Sequence, residues 1–211
     1  MKALQRIAGA LTVGSILLIL LITAIEIAAY SDYSYYEREY NRLGVLNEVP
    51  IEMEDLMDVT KEMMAYLRGN REDLVVYADI GGVETEFFND QEKVHMKDCR
   101  ALFLGGIRIR QISSAVAAFS FLILLLTSRR EKREAGPSAI SRILPKYFQI
   151  GCLLFLALLA VLGGMFVSDF TRYFTEFHHI FFNNDLWLFD PATSRLINIV
   201  PEAFWSRIAL R

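Results

Sequence analysis

FQIGCLLFLALLAVLGGMFV, Phe148 to Val167, is a run of 20 residues without a charge, and about 20 helical residues are what it takes to cross the hydrocarbon core of a bilayer. Two other blocks share its character. Ile7 to Tyr30 holds 24 residues with one charge, Glu26. Ile107 to Thr127 begins with a polar turn, Arg108, Arg110 and Gln111, and continues as the uncharged Ile112 to Leu126. Of the 211 residues 54% are hydrophobic, and gathering them into blocks is what a soluble domain avoids. The pattern predicts a mainly α, polytopic helical membrane protein with three spans and a small extracytoplasmic domain of helices and a short hairpin.

Working outward, the flanks orient the spans. Lys2 and Arg6 precede the first block, but its length and the lack of a small-x-small ending mark an uncleaved anchor, not a signal peptide. Between the second and third blocks, SRREKREAGPSAISRILPK (Ser128 to Lys146) carries six Lys or Arg against two Glu, which keeps it cytoplasmic. Ser31 to Leu104 carries 17 Asp or Glu against eight Lys or Arg, consistent with an external domain. The expected layout is an N-terminal span (1–30), an extracytoplasmic domain (31–104), a second span (105–127), a basic cytoplasmic loop (128–146), a third span (147–168) and an extracytoplasmic or interfacial C-terminal segment (169–211).

Within the external segment, Leu56, Val59, Met63 and Leu67 form one stripe of a helix over about Ile51 to Leu67, stopped by Gly69. Leu74 to Ala78 and Val83 to Phe88 read as short strands around Gly81-Gly82. Asn89 and Glu92 have the spacing of an N-cap and its partner. The helix they start places His95, Cys99 and Leu102 on one stripe, with Asp98 one turn from His95. Gly105-Gly106 is a candidate bend where this helix meets the membrane.

Cys99 and Cys152 fall at opposite faces of the bilayer, so no disulfide is expected. His95 and Cys99 alone are too few ligands for a metal site, and packing of a buried thiol explains Cys99 as well. No GxxxxGK[ST], HExxH, GxSxG or CxxC occurs, which leaves nucleotide-driven pumps, zincin proteases, typical serine hydrolases and thiol redox enzymes without support. The basic loop is explained by topology and anionic lipid, so no nucleic-acid partner is expected.

The chemistry-bearing stretch is FHHIFFNNDLWLFDP, Phe177 to Pro191, directly after the third span. Imidazoles titrate near neutral pH, and Phe and Trp favour the water–lipid boundary; an aromatic belt with incidental histidines is the plainer reading. Topology nevertheless brings His95 and the His178–His179 pair to the same face of the bilayer.

QEKVHMKDCRALF (Gln91 to Phe103) and FHHIFFNNDLWLFDP followed by RLINIVPEAFW (Arg195 to Trp205) resemble the paired signatures of a bacterial membrane family, the lipoprotein intramolecular transacylases. The resemblance covers most of the chain. It implies an acyltransferase of the bacterial cytoplasmic membrane, multi-pass, with an extracytoplasmic active face. Its substrates would be diacylated lipoproteins within the membrane lipid, and an acyl chain would move from the glyceryl ester of the lipid-modified cysteine to the α-amino group, giving the lyso-form. It implies no cofactor and fixes no oligomeric state. The HMKD segment makes His95 one catalytic histidine, and the FHxIFF pattern selects His178 over His179 as the other. His95, oriented by Asp98, would accept the amine proton and His178 would serve the oxyanion or the leaving oxygen, or the roles are exchanged. Asn183, Asp185 and Trp187 are candidates to shape the site or hold headgroup and peptide; a capped turn and an interfacial anchor explain them equally. Glu26 is a candidate for substrate contact or for pairing with Arg108 or Arg110.

Two departures stand out. Relatives continue past P-x-x-F-W into a fourth span, whereas this sequence stops at Arg211, and Ser194 stands where an acidic residue is expected; both weigh on activity more than on fold. The competing class is a non-catalytic membrane protein that binds or senses an envelope partner. Convergence of His95 and His178 favours the enzyme. A metal site on His95, His178 and His179 would need three such groups within coordination distance.

Overall fold

The computed structural model describes residues 1–131 and 138–209; residues 132–137 of the expected basic loop lie outside the described residues. The elements run α1 (Lys2–Tyr30), α2 (Tyr33–Leu43), α3 (Val45–Glu48), α4 (Met53–Arg68), β1 (Tyr77–Asp79), β2 (Glu84–Glu86), α5 (Asp90–Glu131), α6 (Ala139–Ser168), α7 (Phe170–Phe181), α8 (Arg195–Ile199) and α9 (Glu202–Ala209). Helices α1, α5 and α6 are long and apolar enough to cross a membrane. The mainly helical architecture is as expected, and the chain divides into two compact units.

One unit comprises Met1–Ile25 and Gly106–Gly164. Its helices touch through small residues and polar side chains. A Cβ on Gly9 would run into Ile143 Cγ2, and one on Gly151 would stand 2.9 Å from Val13 Cγ1, the close approach that small residues permit between membrane helices. Thr12 and Ser120 share a hydrogen bond of 2.8 Å between α1 and α5. An apolar groove of about 500 Å³, lined by Leu4, Ala8, Leu11, Val116, Phe119 and Ser120 among others, lies between the same two helices and has no titratable side chain in its wall.

The other unit comprises Glu26–Gly105 and Met165–Arg211. Tyr36, Tyr40, Leu56, Val59, Met63, Phe87, Phe88, Ile199 and Phe204 form its buried core. Helix α4 buries the predicted stripe of Leu56, Val59, Met63 and Leu67. Gly69 (φ 85°) ends it in the left-handed region, its N–H on the Tyr66 carbonyl and that of Asn70 on the Ala65 carbonyl, a C-terminal motif that favours glycine. The hairpin pairs Tyr77 with Glu86 and Asp79 with Glu84. Gly81 (φ 65°) and Gly82 (φ 89°) supply the two positive-φ positions of its tight turn. Its strands are shorter than the apolar pattern suggests, and the Arg71 guanidinium takes the Asp73 and Val75 carbonyls ahead of β1.

Helix α5 has 42 residues, about 63 Å at 1.5 Å per residue, twice the roughly 30 Å of a hydrocarbon core. A hydrocarbon core takes about half of that length, and the uncharged stretch after Gln111 is the part of α5 apolar enough to cross one. Asp90–Gly105 belongs to the second unit, and the helix continues through Gly105-Gly106.

Candidate active site

The register of α5 is set at its first turn. Asn89 Oδ1 accepts from Glu92 N–H at 2.9 Å and Glu92 Oε2 accepts from Asn89 N–H at 2.7 Å, the reciprocal cap read from the sequence. One turn on, His95 is 6% exposed. Phe182 and Phe189 meet its ring edge-on, with centroids at 5.1 and 5.3 Å.

Helix α7 delivers the second imidazole. Asp169 caps it, accepting from Arg172 N–H at 3.1 Å. Phe170, Phe174 and His178 then follow at every fourth residue with successive ring centroids 5.3 and 4.4 Å apart, the spacing that stacks side chains on one helical face, and the C-cap Phe182 lies 5.5 Å beyond. His178 belongs to this stripe and is 7% exposed. His179, a hundred-degree turn away, is exposed.

The two buried imidazoles come together: His95 and His178 have ring centroids 6.0 Å apart and planes inclined by 21°. Trp187 covers His178 at 4.7 Å, and its indole Nε1–H is buried without a hydrogen-bond partner among the described residues. His178 Nδ1–H donates to the Phe174 carbonyl at 2.6 Å, which leaves Nε2 as the basic atom of the neutral ring. His95 Nε2 lies 3.3 Å from Cys99 Sγ, and its Nδ1 is buried without a partner among the described residues.

Burial governs the electrostatics. It pushes His95 down to about 4, the neighbouring His178 adding to the effect and the Asp98 charge opposing it. His178 is also lowered by burial, against the Phe174 hydrogen bond, which raises it. Both rings are therefore neutral at neutral pH. Burial pushes the Cys99 thiol up to about 12, with Asp98 adding to the rise, so it stays protonated.

The loop after α7 is tied to α5. Gln91 Nε2 donates to the Leu186 and Leu188 carbonyls, both at 3.1 Å. Asn184 Nδ2 donates to Asp98 Oδ2 at 2.9 Å. Glu92, fully buried, accepts from Ser194 Oγ at 2.6 Å and from Leu196 N–H at 2.7 Å through Oε1. A serine at 194 thus fits this site physically, since an acidic side chain there would face the Glu92 carboxylate.

Of the residues singled out in the sequence, His95, His178 and Trp187 are brought together. Asp98 braces the loop through Asn184. Asn183 and Asp185 are exposed in that loop, and Glu26 is half-buried near the end of α1 in the same unit. Sequence reasoning placed Cys99 one turn from His95 and read it as a packed thiol; it missed Gln91 and Asn184 as partners of the site, and the rings of Phe174, Phe182 and Phe189. The four-residue period of aromatic residues through 170, 174 and 182 was the available signal for His178. Among the described residues, no three His, Cys, Asp or Glu side chains stand together as a metal-ligand group.

A family model described as lipoprotein intramolecular transacylase Lit matches residues 10–205. The structure of the membrane integral lipoprotein intramolecular transacylase Lit from Bacillus cereus superposes with a TM-score of 0.71 at 16% sequence identity, covering 100% of this chain and 87% of that one. A structure of that enzyme with a His-to-Ala mutation matches with a TM-score of 0.71 at 17% identity, covering 99% of this chain and 85% of that one. At such identities the superpositions show a shared fold. No curated protein matches the sequence.

Proposed function

This chain belongs to the lipoprotein intramolecular transacylase family, and we propose that His95 and His178 carry out its transfer on diacylated bacterial lipoproteins. The acyl chain leaves the glyceryl ester of the lipid-modified N-terminal cysteine and joins the α-amino group of the same residue. The observation that carries this reading is the 6.0 Å approach of two neutral imidazoles inside an aromatic surround.

An α-amino group has a pKa of about 7.7–8.0, so near neutral pH the attacking form is the minority neutral amine, its first proton already lost to solvent, and a base is needed for the proton it sheds on becoming an amide. His178 Nε2, basic because Nδ1–H is committed to Phe174, takes the amine proton as nitrogen bonds to the ester carbonyl carbon. The tetrahedral oxyanion that forms accepts hydrogen bonds from His95 and from the Trp187 indole N–H. The carbon–glyceryl oxygen bond then breaks, and the His178 imidazolium returns the proton to that oxygen. One acyl group has moved from O to N and one proton from N to O, with no cofactor consumed. The tautomer of His178 favours the exchanged order of the two roles, with His178 rather than His95 as base.

Because nucleophile and ester belong to one substrate, holding them together and keeping water out supply much of the rate; the rings of Phe174, Phe182 and Phe189 suit that task. Asn183, Asp185 and Glu26 contact the glyceryl and peptide portions. The protein is multi-pass in the bacterial cytoplasmic membrane, with the pair on the extracytoplasmic side in contact with membrane lipid.

The test is mass spectrometry of a reporter lipoprotein's N-terminal peptide in cells without other lipoprotein N-acylation. A shift of one acyl chain from glycerol to nitrogen at constant mass, lost in His95→Ala and His178→Ala, is the expected result. An unchanged diacylglyceryl peptide beside folded protein would overturn the reading.

A further inference from the structure

We infer that Cys99 is a positioning residue: its thiol donates to His95 Nε2 and so keeps the proton of the neutral ring on Nδ1, turned into a hydrogen-bond donor for the reacting carbonyl oxygen. The inference rests on the proposed role of the histidine pair and deepens it.

Three observations carry it. Cys99 Sγ is 3.3 Å from His95 Nε2, one helical turn along α5. A contact between a thiol and a neutral imidazole can run either way, but ring nitrogen is a good acceptor and thiol sulfur a weak one, so S–H to Nε2 is the favoured sense. His95 Nδ1 is buried without a partner among the described residues, in a residue only 6% exposed. With Nε2 accepting, that atom is an unspent N–H inside an apolar surround, preorganised for an oxyanion. His178 presents the opposite face of imidazole chemistry, a free Nε2 lone pair. The pair thereby becomes one donor and one base.

Burial supports the same sense, since it holds the thiol protonated and the ring neutral. The titratable groups around His95 are Cys99 and Asp98 on its own helix and His178 across from it.

The experiment compares Cys99→Val and Cys99→Ser in the full-length membrane protein, using a synthetic diacylated lipopeptide and measuring acyl migration. Valine keeps the apolar volume and removes the donor; serine keeps a donor. Cys99→Val is expected to lower kcat roughly 10- to 100-fold with KM changed less than about twofold, and Cys99→Ser to recover most of the loss. A packing role predicts the reverse order, because a buried hydroxyl is the costlier change, and finding valine as active as wild type would overturn the inference. Long-range proton–nitrogen spectra of the wild-type protein, with His95 assigned through His95→Gln, give an answer that does not depend on the variants folding. Nδ1–H supports the inference and Nε2–H overturns it. If His95→Ala and His178→Ala retain activity, the histidine-pair reading itself fails, whereas their inactivity beside an unaffected Cys99 series sinks only the present inference.

Discussion

His95 and His178 face each other with ring planes 21° apart and centroids at 6.0 Å, one carried by the first turns of α5 and the other by the aromatic stripe of α7. Groups that act on one proton and one oxyanion act as a unit, so their contributions do not add.

Accordingly His95→Ala and His178→Ala should each lower the transfer rate by about 10²- to 10⁴-fold, and the double variant should be little slower than the worse single one. His179→Ala should cost less than about 10-fold, because His179 lies off the stripe and is exposed. Single-turnover acyl migration on a lipopeptide measures all four.

The pH dependence follows from His95. Its folded pKa, about 4, lies below the roughly 6.5 of a free imidazole, so between these values the unfolded chain binds more protons and stability falls as pH falls. Full stability is present above about 6.5, and about 3 kcal/mol is lost by pH 4. His95→Gln should flatten the thermal-unfolding curve against pH in that window; an equally steep curve would contradict the assignment.

Glu92 is the structural pin of the site, accepting from Asn89, Ser194 and Leu196 while fully buried. Glu92→Ala should destabilise by about 3 kcal/mol or more, since buried donors lose a charged acceptor. Ser194→Ala should cost about 1.5–3 kcal/mol. Ser194→Asp should cost more than Ser194→Ala, because two carboxylates would meet. Thermal unfolding in detergent gives the order.

Gln91 spans to Leu186 and Leu188 and so holds Trp187 over His178. Gln91→Leu should loosen that loop and lower kcat on the order of 10-fold, with a smaller change in overall stability. A loss confined to thermal stability would show that the loop is indifferent to catalysis.

Much of this was legible in one dimension. Apolar runs near 20 residues have few alternatives to membrane helices, and the Asn89–Glu92 cap, Gly69 stop and Gly81-Gly82 turn are local chemistry that needs no tertiary information. Local periodicity also accounts for His178: phenylalanines at 170, 174 and 182 put it, and not His179, on the inner stripe.

The partners of the site were not legible, because they arise between elements far apart in sequence. That Asp98 holds Asn184 and that Glu92 reaches Ser194 depends on how the segment after α6 folds back onto the start of α5. Sequence by itself therefore determined the helices and their caps, since each is encoded within a few turns of chain. Tertiary structure alone decided the shifted pKa values and the 6.0 Å pairing, because burial exists only once distant surfaces have packed.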